Sequence, residues 1–300
     1  MSLIKIEGKA LEKLVEVVSQ GIGTLYKPRA IRKEADAEAY KNEVLAKAEA
    51  KKTLIEGEAK IELIERAKAR LVNQEINRQT NLEEIAEKSI PYLETNVSDQ
   101  PVDEDWRTRF FNKAQDVSSD EMQEIWAKIL AGEVSRPGQF SFRTLEIISN
   151  LSKNEAEKFQ NVCSLASSKS LIWKIKLLDS CGLGYGDLML LREAGLIHDN
   201  DNLVKIFQVI PQIGSAIIPI GNDFYQIRNK KNPSIKEFKF NQIAFTIAGT
   251  ELCRIVSSEP NLDFHQKLIE HRMSEGYELT KIETKTTDNR VDGREHYGLD

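Results

Sequence analysis

Apolar residues recur at three- and four-residue steps near the start of the chain. Ala10, Leu11, Leu14, Val15, Val17, Val18 and Ile22, with Glu12, Lys13, Glu16 and Gln20 between them, predict an amphipathic helix within residues 1–27. Gly21-Ile22-Gly23 loosens its end, and Pro28 enforces a break. The polar face mixes Glu with Lys, so burial against the protein is favoured over a membrane-surface role. The next pattern, residues 28–95, is the most pronounced. Between Pro28 and Pro91 there is no proline, and the only glycine is Gly57. Tyr40, Val44, Ala48, Leu54, Ile55, Ile61, Ile64, Leu71, Val72 and Ile76 form an intermittent stripe without a strict heptad. Alanine and paired charges fill the rest, including Glu43–Lys47 and Glu84–Lys88 at i,i+4. A long helix is expected, about 90 Å if unbroken at 1.5 Å per residue, with Gly57 as the kink. It reads as an oligomerisation stalk (a coiled-coil-like spacer), or as a helix folding back at Gly57. The second half, after Ile61, is expected to be the packed half.

Residues 99–170 follow the linker Asn96–Pro101 and read as a compact helical domain. Asp103-Glu104-Asp105 opens a helix carrying Trp106, Phe110 and Phe111. Ser118 stands three residues before Glu121, the capping-box spacing, and opens a helix with Met122, Ile125, Trp126, Ile129 and Leu130 as its core stripe. Gly132 and Pro137-Gly138 are expected to end it. Ser141 or Thr144 caps the next helix, and Ser152 with Glu155 repeats the capping box.

Within this stretch, Trp126-Ala127-Lys128-Ile129-Leu130-Ala131-Gly132-Glu133 and then Pro137-Gly138-Gln139-Phe140-Ser141-Phe142-Arg143-Thr144-Leu145 resemble the signature of uncharacterised bacterial domains, W-A-x-x-L-A-G-E followed by P-G-x-x-S-x-R-T-L. The signature is similar to that of the abortive-infection alpha proteins. Lys9–Leu14 and Gly23–Pro28 also resemble the opening of that group, so the resemblance covers about residues 1–170. It implies a bacterial cytoplasmic protein linked to phage defence, and it brings no catalytic residue. Trp126, Leu130, Gly132, Glu133, Pro137, Gly138, Ser141 and Arg143 carry the signature. Glu133, Arg136 and Arg143 have two readings. The arginines grip a phosphate or carboxylate, or Glu133 bridges Arg143 and locks the turn; the bridge is favoured.

The periodicity changes over residues 171–257. Gly182-Leu183-Gly184-Tyr185-Gly186 lacks the third spaced glycine of a dinucleotide fingerprint and the GK[ST] of a P-loop, so it reads as a turn. A short helix over Asp187–Ile197 is followed by strands at 203–209, 216–220, 223–227 and 237–245, and then by a helix opened at Thr246. This order looks like a winged-helix module, with Arg228, Lys230, Lys231, Lys236 and Lys239 as candidate phosphate contacts. Residues 258–300 add a helix, Phe264–Ser274, and a strand, Tyr277–Lys285. The fold class is therefore mainly α with a C-terminal α+β part.

Composition narrows the functions. Basic residues number 42 and acidic residues 47, a formal net charge of −5, which argues against a general nucleic-acid coat or polybasic membrane binder. About twenty-five of these charges lie in the long helical stretch, nearly cancelling there. The charge surplus thus reports a solvated helix. Cys163, Cys181 and Cys253 have no metal or disulfide spacing, and His265 and His271 are six apart, off the i,i+4 spacing of a helical metal pair. No GxSxG, HExxH or Walker motif is present, so no cofactor, metal or catalytic residue is expected. The leading expectation is a non-enzymatic, oligomerising cytoplasmic interaction protein, a phage-defence factor with a protein partner. The alternatives are a DNA-binding regulator using the winged-helix-like region and a membrane-surface effector acting through the first helix.

Overall fold

A computed structural model describes residues 8–24, 26, 28, 61–169, 171–174, 178, 181–200, 202–256 and 258–283. The expected helix over residues 29–60, with its kink at Gly57, lies outside the described residues. In chain order the helices are α1 (Lys9–Ile22), α2 (Ile61–Ser89), a 3-10 turn (Ile90–Tyr92), α3 (Glu104–Ala114), α4 (Asp120–Ser135), α5 (Phe142–Asn150), α6 (Lys153–Leu165), α7 (Tyr185–Glu193), α8 (Ile247–Ile255) and α9 (Leu262–Ser274). The strands are β1 (Leu171–Trp173), β2 (Val204–Gln208), β3 (Ala216–Ile220), β4 (Asp223–Asn229), β5 (Glu237–Ala244) and β6 (Tyr277–Lys281). The chain is thus mainly helical with strands in its C-terminal half, an α+β layout.

Two compact units form, and neither is continuous in sequence. The first takes residues 1–160, 186–198 and 245–257; the second takes 161–185, 199–244 and 258–300. The linear boundaries at 171 and 258 therefore do not coincide with them. Both α7 and α8, expected inside the winged-helix module, belong largely to the first unit.

The first unit is a helical body around an aromatic core. Trp106 stacks on Phe110, whose ring meets Trp126 edge-on at 5.2 Å between centroids. Helix α1 buries Ala10, Leu14, Val17 and Val18 against α3 and α4. Its apolar face is thus engaged in the fold. A Cβ on Gly21 would fall 2.1 Å from the Phe111 ring, so glycine is what lets α1 approach α3. The end of α1 is written in the sequence, for Gly23 closes it in the left-handed conformation at φ 72°.

Local capping follows the sequence in most places. Asp103 caps α3 by accepting from Trp106 N at 2.8 Å. Ser152 and Glu155 form the reciprocal capping box of α6: Glu155 Oε2 accepts from Ser152 N at 2.7 Å, and Ser152 Oγ accepts from Glu155 N at 3.3 Å. For α4 the cap is Ser119, one residue after the expected Ser118; its hydroxyl accepts from Met122 N and donates to Glu121. Nor does Gly132 end α4, which continues to Ser135.

Helix α2 is packed at one end. Leu82, Ile85, Ala86 and Ser89 are buried, whereas Leu63 is 53% and Leu71 38% exposed. Burial within α2 is therefore concentrated in its last two turns; the half it was to be compared with lies outside the described residues.

The second unit holds two antiparallel three-stranded sheets, ordered β1-β5-β2 and β3-β4-β6. Phe207, Phe238, Phe240, Trp173 and Tyr277 pack as an aromatic cluster. The Arg272 guanidinium lies 4.1 Å from the Phe240 ring centroid and donates to Glu275 at 2.8 Å. His265, buried, packs against Gly221, where a Cβ would lie 2.7 Å from Nδ1. Strands β2 to β5 match the sequence pattern within two residues; β1 was not expected, and β6 ends at Lys281, short of the expected Lys285.

Candidate functional site

The signature residues converge on one turn. Helix α4 brings Trp126 and Leu130 into the core, each fully buried. Glycine at 132 leaves room for the Phe140 ring; a Cβ there would fall 2.7 Å from it. Pro137 and Gly138, the latter at φ 84°, reverse the chain, and Ser141 caps α5 by accepting from Thr144 N.

Two carboxylates hold this turn from opposite sides. Glu133, 1% exposed, accepts from Gly138 N at 2.6 Å through Oε1 and from Phe140 N at 3.0 Å through Oε2. Burial pushes its carboxyl above the ordinary range; the backbone N–H groups of Gly138, Phe140 and Gln139 pull the other way, and the charge of Glu251 adds to the upward push. Glu251 on α8 accepts from Ser141 N at 2.8 Å, and also from the hydroxyls of Ser141 and Thr144. The favoured Glu133–Arg143 bridge is therefore replaced. Glu133 is engaged by backbone N–H groups, and Arg143 is exposed. Arg136 pairs with Glu94 at 2.6 Å, so the structure does not bring the two arginines together as an anion grip. The start of α5, a helix N-terminus of the kind that attracts anions, already holds the Glu251 carboxylate. Neither Glu251 nor the Trp106 indole, which donates to Phe140 O at 2.8 Å, was visible as a participant in the sequence.

Beside the turn lies an open cleft of about 850 Å³, lined by residues that include Pro101, Asp103, Glu104, Arg107, Pro137 and Phe142. Its lining contains no His, Cys or Lys. Asp103 is engaged as the α3 cap, and Arg107 donates to Gln20 at 2.7 Å. Arg109 stacks over the Phe142 ring at 4.4 Å. A second hollow, of about 330 Å³, gathers Glu146, Glu155 and Glu193. Glu146 pairs there with Lys113, and Glu155 with the Ser152 cap. Among the described residues no group of three or more His, Cys, Asp and Glu side chains is placed to hold a metal ion.

The five candidate phosphate contacts lie along the end of β4, the following turn and the start of β5, all exposed. Three have protein partners. Arg228 donates to Ile213 O at 3.2 Å, Lys231 to Glu275 O at 3.4 Å, and Lys239 pairs with Glu237 at 2.6 Å. Lys230 and Lys236 project at the turn end of this hairpin edge.

The class these features define is a mainly helical α+β protein whose signature residues build a turn. Residues 65–180, which carry the whole signature, match the family described as Protein of unknown function (DUF2806), and the chain is similar to that family over this span. No curated protein matches the chain, and no solved structure matches it. The family match carries no link to the abortive-infection alpha proteins. No helix among the described residues is long and apolar enough to cross a membrane.

Proposed function

We propose that this protein is a non-enzymatic interaction protein that assembles with copies of itself through the exposed Leu63 and Leu71 of α2. The observation that carries this reading is the half-packed α2. Its first turns present Leu63 and Leu71 to solvent on a charged helix. The signature site supports it too, since the Glu133 and Glu251 carboxylates and the Ser141 hydroxyl are engaged in holding a turn. The resemblance in sequence adds a role in restraining a phage component, through a protein partner.

Sedimentation of the full chain at micromolar concentration tests the assembly. The parent is expected to sediment as an oligomer. A Leu63→Lys, Leu71→Lys double variant is expected to sediment as a monomer with an unchanged melting temperature, because neither side chain is in the core. A parent that is a strict monomer sinks the reading.

The second reading, a DNA-binding regulator, is favoured by one observation. The sheet order β1-β5-β2 pairs the strand after α6 with the last strand of the set, as in a winged-helix sheet. Two features weigh against it. β2 and β5 are joined through β3 and β4 in place of a simple wing, and α7, at the place of a recognition helix, carries Asp187 and Glu193 beside Arg192. Under this reading duplex affinity falls steeply with salt, and Lys230→Glu with Lys231→Glu reduces both the affinity and the salt slope. A duplex affinity that these changes leave unaltered rejects it.

A further inference from the structure

The leucines that α2 exposes stand among arginines. At about 100° per residue, Arg66, Arg70, Leu63, Gln74, Ala67 and Leu71 follow one another across a single face about 140° wide. Arg66 and Arg70 are exposed, and among the described residues neither makes an ion pair or a side-chain hydrogen bond. Glu65 and Lys68, which do have partners, lie outside this arc. Between Leu63 and Gln74 the face is therefore apolar and basic, with no acid on it.

The open cleft beside the signature turn has the matching character. Val102, Trp106 and Phe140, all buried, give it apolar walls, and Pro101 and Phe142 stand exposed at its edge. Glu104 is exposed there, and among the described residues its carboxylate makes no ion pair or hydrogen bond. Asp103 is exposed beside it, with one oxygen committed to the α3 cap. Arg107, the cation of the lining, is turned to Gln20. The cleft, of about 850 Å³, is in the size range that takes a ligand's apolar groups, and Leu63 and Leu71 are about 12 Å apart along the helix axis at 1.5 Å per residue.

The two surfaces do not meet within one chain. Arg78 Nε donates to Asp116 at 2.9 Å, just past the C-terminal end of α3, whereas the cleft lies at the N-terminal end of α3. Leu63 and Leu71 accordingly remain exposed.

We propose that the cleft receives the Leu63–Leu71 face of α2 from a second copy of this chain, with the leucines on its apolar walls and Arg66 and Arg70 toward Glu104 and Asp103. This names the counterpart surface for the self-association proposed above and rests on that reading. Opposite charges around an apolar contact fix which surfaces pair more than how tightly they bind.

Charge exchange in the full chain tests the pairing. Arg66→Glu with Arg70→Glu reverses the helix face, and Pro101→Arg with Glu104→Arg reverses the cleft; all four positions are exposed. Each double variant alone is expected to sediment as a monomer at a concentration where the parent is assembled. An equimolar mixture of the two is expected to recover the parent's sedimentation, since each then offers the surface that the other lacks. Assembly by either variant alone overturns the proposal, and so does a mixture that stays monomeric although both variants melt like the parent. Hydroxyl-radical footprinting of the unsubstituted chain covers a variant that fails to fold. As the concentration rises, oxidation of Phe142 is expected to fall together with that of Leu63 and Leu71. Protection of the leucines without Phe142 overturns the cleft assignment and leaves self-association standing. A parent that shows no protection and sediments as a monomer overturns both.

Discussion

Glu133 accepts two backbone hydrogen bonds inside a desolvated turn, and that decides what can replace it. Glu133→Gln preserves the shape but turns an amide N–H2 toward the N–H of Gly138 or Phe140. The expected loss is about 1–3 kcal/mol, read as a lower midpoint in denaturant, since one buried donor is left without an acceptor. His265 makes the opposite kind of prediction, one about pH. Burial holds its pKa below the ordinary value of about 6.5, against the pull of Leu165 O and the Asp223 charge. Below that value the unfolded chain takes up a proton more readily than the native one. The contribution is therefore complete above about 6.5 and is lost as the pH falls through the depressed native value. A melting series over falling pH is expected to show a slope that a His265→Gln variant lacks; equal slopes would refute it.

At the scale of elements, legibility followed sequence distance. The capping box at Ser152 and Glu155 closes over three residues, so its spacing was enough to read it. Ser118 and Ser119 offer the same hydroxyl at adjacent positions, and the capping-box spacing selected the wrong one, because the cap used here bonds Met122 N without the reciprocal glutamate. Strands β3, β4 and β5 alternate or cluster apolar residues strongly enough to be placed within two residues. β1 was missed, since three wholly buried residues carry no alternation. Gly132 was misread as a helix end because a mid-helix glycine and a terminal one look alike until the Phe140 ring is in place. For α2 the prediction is that assembly and stability separate. Substitutions at Leu63 and Leu71 change sedimentation alone, while Ile85→Ala, at a fully buried position, costs about 2–5 kcal/mol of stability.

Over the whole molecule, the signature site could not be completed by reading residues 126–145 alone. Its second carboxylate, Glu251, reaches Ser141 from 110 positions later, across the entire run of β1 to β5. No local spacing encodes such a contact. Glu251→Ala is expected to lower stability by about 1–2 kcal/mol, the range for a lost helix N-cap, with the measurement made by equilibrium unfolding. A change within about 0.3 kcal/mol would show that Ser141 caps α5 unaided.

The position of Glu251 also sets an order of events during synthesis. A ribosome releases residues 65–180 well before it reaches α8, so the growing chain exposes the first half of the signature turn with only Glu133 to hold it. At that stage the start of α5 has the Ser141 hydroxyl within local reach but not the Glu251 carboxylate. The helical body is therefore the first part translated and among the last to be sealed, and any early stop codon before residue 251 leaves it permanently unlatched.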